Sequence, residues 1–148
     1  MTNDERIEAH RRVKGWLASY PYIKEELGWL DKELRMYEGS IYGDCTANMD
    51  GMPRGSAAGD AMVSKIVQLD ELRKRHTQRR ERLTADLLAR EEALERLGDM
   101  ERKVMRLRYF EGMKWEDICT AINYSWRQTH NYHSRALDKL IQKEGPEQ

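Results

Sequence analysis

Three short apolar stripes near the C-terminus constrain the fold of this 148-residue chain more than any other feature. In each stripe the apolar residues recur at steps of three and four, which predicts a helix with one buried face. The stripes consist of Met100, Val104, Leu107 and Phe110; of Trp115, Ile118, Ala121 and Ile122; and of Thr129, Tyr132, Ala136, Leu137 and Leu140. The segment from Asp99 to Gln142 is therefore predicted to form three short helices.

The residues between the stripes are those expected at tight joints. Gly112 and Asn123 are the types that best tolerate the left-handed conformation ending a helix. Ser125 follows two residues after Asn123 and can accept a hydrogen bond from an exposed backbone N–H, as an N-cap does. Two such helices joined by about four residues form the helix-turn-helix arrangement, which places its second helix in the DNA major groove.

Polar residues cluster at the N-terminal end of the third predicted helix, the end that enters the groove first in helix-turn-helix proteins. Arginine can donate two hydrogen bonds to guanine, and glutamine or asparagine can pair with adenine. Basic and hydroxyl side chains farther along, and the N-terminus of the second helix, are better placed for phosphates. The predicted base-reading residues are Trp126, Arg127, Gln128, His130 and Asn131, and the predicted phosphate contacts are Lys114, Ser125, Ser134, Arg135, Lys139 and Lys143.

The first two thirds of the chain are predicted to form a long antiparallel helical hairpin. Residues 4–38 read as helix interrupted near Pro21, which stands either in the first turn of a second helix or at a kink in one long helix. A heptad-like rhythm follows, formed by Ile23, Leu27, Leu30, Leu34 and Tyr37. The glycine-rich stretch 39–59 is predicted to be a loop, and 60–97 one long helix whose first half pairs with the N-terminal helix. The fold class is thus all-α, with a hairpin domain at 1–98 and a helix-turn-helix domain at 99–148.

A basic run within the predicted long helix allows two interpretations. It contains Arg73, Lys74, Arg75, Arg79, Arg80 and Arg82. It is either a solvated helix face, or a second surface that contacts phosphates or docks an acidic partner.

Composition narrows the class of protein. The net charge is zero, which argues against a general polycation but not against a local basic face. No apolar run approaches the roughly 20 residues of a membrane span, and the N-terminus is too polar for a secretory signal, so we expect a cytoplasmic protein.

His130, His133 and Cys119 lack a fourth ligand for zinc, and no nucleotide-binding or catalytic motif appears. The sequence therefore predicts no metal, no cofactor and no enzymatic activity.

The run RLRYFEGMKWEDICTAINYSWRQTHNYHSRALDKL resembles sigma-factor region 4. More broadly, the chain is similar to small phage transcriptional regulators of the ArpU and RinA type, which join such a module to a helical region through a PRGS-containing loop, here residues 52–56. Lys114 departs from the family's capping Ser or Thr. The resemblance implies a regulator that binds double-stranded promoter DNA and controls phage or prophage late genes with host RNA polymerase. A homodimer is expected because one small module has little specificity.

Two other functions fit the same residues. The helix-turn-helix could grip RNA polymerase or a phage protein without reading DNA. Alternatively, the chain could bind DNA without sequence preference in packaging or replication, in which case affinity would depend steeply on salt while sequence preference vanished.

Overall fold

The structure, a computed structural model, describes the backbone of residues 1–47 and 56–142 and the side chains of residues 1–39 and 59–142. Within these ranges the chain is helical and contains no strand, which confirms the all-α prediction. The helices are α1 (Asn3–Ala18), α2 (Tyr20–Ala47), α3 (Ser56–Glu95), α4 (Asp99–Met105), α5 (Trp115–Ile122) and α6 (Trp126–Gln142). Helix α4 continues directly into a π-helical turn at Arg106–Phe110.

Two compact units divide the chain. Unit 1 combines Met1–Lys24 with Asp86–Gln148, and unit 2 consists of Glu25–Ala85. Unit 1 therefore contains segments from both sides of the predicted boundary at residue 98. The difference arises because α1 and the end of α3 contribute to the same hydrophobic core as α6.

The helices α2 and α3 extend into the stretch that was predicted to be a loop at 39–59. Helix α2 ends only at Ala47 and α3 begins at Ser56, so the predicted loop is wrong at both ends, and 48–55 lie outside the described residues. An isolated glycine costs a helix only about 1 kcal/mol, which explains why Gly39, Gly43 and Gly59 do not stop these helices. Pro21 lies in the first turn of α2, where a missing N–H has no helical partner to lose.

Unit 1 has two hydrophobic clusters. The larger one joins α1, the end of α3, α4 and α6 through Val13, Leu17, Ala93, Leu94, Leu97, Met105, Ala136, Leu137 and Leu140. The smaller one joins α4 and α5 through Val104, Ile118 and Ile122, with Met100, Leu107 and Trp115 packed against it. Most residues of the predicted apolar stripes lie in or against these clusters, but Ala121 is exposed, and α1 and the end of α3 supply the rest of the interior.

Unit 2 is an antiparallel pairing of α2 with α3, as predicted. An ion pair joins Glu26 to Arg79, and His76 Nε2 lies 2.6 Å from a Glu33 carboxylate oxygen, so positions farther along α2 meet positions earlier on α3. Another pair joins Asp31 to Arg80. Leu30 is the one buried side chain among the described residues of this unit.

The basic run of α3 is largely used within unit 2. Arg79 and Arg80 pair with carboxylates of α2, while Arg73 and Lys74 pair with Asp70 on their own helix. The run is therefore neither a purely solvated face nor a free phosphate-binding surface, the two interpretations that the sequence allowed. Two of its six residues, Arg79 and Arg80, join the two helices of the hairpin, and two more pair within α3.

Candidate nucleic-acid interface

The joints between the three C-terminal helices have the predicted geometry. Gly112 has a φ of 68° and Asn123 a φ of 60°, both in the left-handed region. The Ser125 hydroxyl oxygen accepts a hydrogen bond from the Gln128 backbone N–H at 3.2 Å, and the Ser125 carbonyl oxygen accepts one from Thr129 N–H at 2.9 Å. Asn123 thus ends α5 and Ser125 caps α6, as predicted.

Helix α5 begins without a side-chain cap. Lys114 occupies the N-cap position in an extended conformation and makes no capping hydrogen bond. Glu116 and Asp117 stand in the first turn, where their negative charges favour the positive end of the helix dipole. The exposed Lys114 side chain is thereby left on the surface at the start of α5.

One face of α6 is closed against the rest of unit 1. Thr129, Ala136 and Leu137 are almost fully buried. The Thr129 hydroxyl donates to the Ser125 carbonyl oxygen at 2.8 Å and accepts the Cys119 thiol at 3.4 Å, so a polar residue is satisfied inside. Tyr132, predicted to point inward, is partly buried and packs against the cluster of Val104, Ile118 and Ile122, and His133 is buried as well.

The opposite face of α6 carries most of the predicted base-reading residues. Trp126, Arg127, Gln128 and Asn131 are exposed. No hydrogen bond or ion pair joins the side chains of Arg127, Gln128 and Asn131 to any residue in the described part of the chain. Three side chains able to form hydrogen bonds with base edges are therefore available within one and a half turns of a helix N-terminus.

His130 differs from the other predicted base-reading residues. Its ring lies between Trp115 and Trp126, with centroid distances of 4.4 Å to each. Its Nδ1 lies 3.0 Å from the Trp126 carbonyl oxygen, which can only accept, so Nδ1 carries the proton and donates. Packing and hydrogen bonding thus fix His130 and join the start of α6 to α5.

The predicted phosphate contacts fall into two groups. Lys114, Ser125, Ser134 and Arg135 are exposed. The Lys139 ammonium instead donates to both carboxylate oxygens of Glu101, at 2.9 and 2.8 Å, and Glu101 is buried. Lys139 therefore compensates an interior charge, a role that sequence spacing did not indicate because Glu101 lies 38 positions away. Lys143 lies outside the described residues.

Sequence reasoning also missed the position of α1. Asp138 on α6 accepts hydrogen bonds from Arg6 at 2.7 and 2.9 Å and lies 2.8 Å from His10 Nε2. The hydrogen bond from Arg6 is the main cause that lowers the pKa of Asp138, and His10 adds to it. Val13 and Leu17 give α1 a buried face, but nothing local in the sequence indicates that α6 is its partner.

An open cleft of about 720 Å³ separates α1 from the start of α6, with Arg11 and Lys14 on one side and His130 and Ser134 on the other. The π-helical turn contributes Arg108, whose guanidinium donates to the Met113 carbonyl oxygen at 3.0 Å and lies 4.9 Å from the Trp115 ring centroid. Three cations thus line one concave surface on a chain with no net charge.

His133 closes the floor of this cleft beside Tyr109. Its Nε2 lies 2.8 Å from the Tyr109 hydroxyl, and the side chain is buried. Burial is the main cause that lowers the pKa of His133 to about 4, and nearby positive charges, including those of Lys14 and Arg108, lower it further. Burial also raises the pKa of Tyr109 to about 12. At neutral pH the phenol therefore donates to an uncharged imidazole.

Within the described ranges, no group of three or more His, Cys, Asp or Glu side chains is arranged to hold a metal ion. No helix in the part that the structure describes is long and apolar enough to span a bilayer. Comparison of the chain with known protein families, with curated proteins and with solved structures finds no match.

Proposed function

We propose that this chain is a sequence-specific regulator of transcription that binds double-stranded DNA by placing α6 in the major groove. The observation that supports this most is the unpartnered edge formed by Arg127, Gln128 and Asn131 on the exposed side of α6. The opposite side of the helix is held in the core, so the edge is presented by a rigid scaffold. Because the backbone of this helix is already ordered, binding costs side-chain entropy but little backbone entropy.

Base recognition in this proposal rests on hydrogen-bond geometry. Arg127 donates two hydrogen bonds to a guanine, while Gln128 or Asn131 pairs with an adenine, each pair contributing about 1–3 kcal/mol of discrimination. Lys114, Ser125, Ser134 and Arg135 contact phosphates and fix the register of the helix in the groove.

The wider role follows from the resemblance to sigma-factor region 4 and to phage regulators. We propose that the chain acts with host RNA polymerase at promoters of phage or prophage late genes, in the cytoplasm of a bacterial host. Neither catalysis nor a cofactor is part of this role.

A homodimer completes the proposal, and unit 2 supplies its interface. Trp29 and Met36 are seven positions apart, so they lie on one face of α2, and both are about two-thirds exposed. With only Leu30 buried among its described residues, this two-helix unit gains a core when a second copy covers that face.

Binding selection from a random duplex library tests the proposal. We expect the purified chain to enrich one sequence, which footprinting then locates. Replacing Arg127 and Gln128 with Ala should abolish the preference, because both hydrogen-bonding edges are lost. The matched control replaces Arg75 and Gln78, an exposed Arg and Gln on α3, and should retain the preference.

Two outcomes would overturn the proposal. Flat recovery of the library at all salt concentrations would favour a module that binds RNA polymerase or a phage protein, and pull-down with purified polymerase would then test that alternative. A preference that survives the Arg127→Ala/Gln128→Ala change would show that α6 does not read bases.

A further inference from the structure

We infer that α1 forms a second wall of the DNA-binding surface, with Arg11 and Lys14 binding the phosphate backbone alongside α6. This inference rests on the proposed function, and it extends the interface to a helix more than 100 residues away in sequence.

The position of α1 is fixed independently of the two basic residues. Val13 and Leu17 are buried in the core shared with α6, and Asp138 of α6 holds Arg6 and His10. Since Asp138 meets residues near the start of α1 while His130 and Ser134 line the cleft with Lys14, the two helices run antiparallel. Arg11 and Lys14 are one turn apart on α1, so they point from the same side of that helix.

The cleft opens along the edge of α6 that is proposed to read bases. His130 and Ser134 line the cleft, and Arg127 and Asn131 are within one turn of them on the exposed side of the same helix. A helix that lies beside a reading helix meets the sugar-phosphate strand bordering the major groove. The backbone of bound DNA would therefore pass close to Arg11 and Lys14.

The charges of this wall are available for a polyanion. Lys14 has no ion pair or hydrogen bond with any residue that the structure describes. Arg11 is joined to Glu8 at 3.3 Å, but both side chains are more than half exposed, and such pairs contribute little. Arg108 is held by a carbonyl oxygen and an aromatic ring, and no carboxylate of the described residues pairs with it. A phosphodiester strand supplies the negative charges that this open, basic surface lacks.

The salt dependence of binding tests the inference. Each neutralised phosphate contributes about 0.9 to the slope of log affinity against log salt, so Arg11→Gln/Lys14→Gln should make the slope shallower by about 1.8. At 0.1 M salt this corresponds to a loss of roughly 60-fold in affinity. The loss should be equal on the selected duplex and on an unrelated one, because phosphate contacts carry no sequence information.

The matched control is Arg96→Gln/Lys103→Gln, which removes one exposed Arg and one exposed Lys of unit 1 that line neither the cleft nor the exposed face of Trp29 and Met36. It should keep the wild-type slope, and circular dichroism should show both variants folded. If the wild type binds its selected duplex while Arg11→Gln/Lys14→Gln has the wild-type slope, this inference is wrong and the proposed function stands. A wild-type chain that binds no DNA overturns both.

Discussion

Protonation of His133 should make unit 1 sensitive to mildly acidic pH. The imidazole is 7% exposed, accepts a hydrogen bond from Tyr109 and is surrounded by Lys14 and His10 of α1, Arg108 of the π-helical turn and His130 of its own helix. None of these neighbours stabilises a positive charge on the His133 imidazole. Burial and these cations together explain why the pKa of His133 falls from 6.5 to about 4.

The direction of the effect follows from linkage. Because the pKa of His133 is lower in the folded state, the unfolded chain binds the proton first as the pH falls. The contribution of the neutral imidazole to stability is therefore complete above pH 6.5 and is lost progressively between pH 6.5 and about 4. At about 1.36 kcal/mol per pKa unit, the lost free energy of unfolding amounts to roughly 3 kcal/mol.

Urea unfolding of wild type and His133→Gln from pH 7.5 to 4.5 measures this contribution. Carboxylates titrate in both proteins, so the difference between the two curves isolates His133. We expect wild-type stability to fall more steeply by roughly 2.5 kcal/mol over that range. His130→Gln, which also removes one imidazole, should keep most of the wild-type dependence because burial is the main cause of the lowered pKa. Parallel curves for wild type and His133→Gln would refute the reasoning.

Three further outcomes are expected. Asn123→Val should lower the free energy of unfolding by about 1–2 kcal/mol because a side chain branched at Cβ is strained at a φ of 60°, whereas Asn123→Gly should cost less; equal losses in thermal unfolding would contradict this. Leu137→Ala, at a site 1% exposed, should cost about 2–5 kcal/mol in urea unfolding, and a loss below 1 kcal/mol would show that α6 is not held by this core. Trp29→Glu should convert the dimer into a monomer in analytical ultracentrifugation while Arg12→Glu, on α1, does not; a monomeric wild type would remove the dimer from the proposal.

The joints of the C-terminal helices were predictable because their determinants are local. Gly112, Asn123 and Ser125 each act through the conformation of one residue or a hydrogen bond to a neighbour three positions away. The inner face of α6 was nearly as predictable from its spacing. The spacing did not predict that His133 is buried. A titratable side chain is accepted inside only where it has a hydrogen-bond partner, here the Tyr109 hydroxyl, and apolar spacing carries no information about that partner.

The candidate interface was predictable only in part. Arg127, Gln128 and Asn131 are exposed and unpartnered in the described part of the chain, as expected for residues on the outer face of an amphipathic helix. Lys139 also lies on the outer face by its spacing, yet its ammonium is paired with the buried carboxylate of Glu101. Ion pairs between residues far apart in sequence leave no periodic signal, so spacing cannot separate a free cation from a paired one.

By itself the sequence determined the helical character of the chain, the two left-handed joints and which side of α6 faces solvent. These depend on backbone preference and on apolar spacing within a single helix, and both are local properties. Only the tertiary structure decided that α1 lies along α6, that most of the basic run of α3 is paired with carboxylates, and that three cations meet in one cleft. Partner choice depends on contacts between distant segments, and many such pairings are compatible with the same amphipathic pattern.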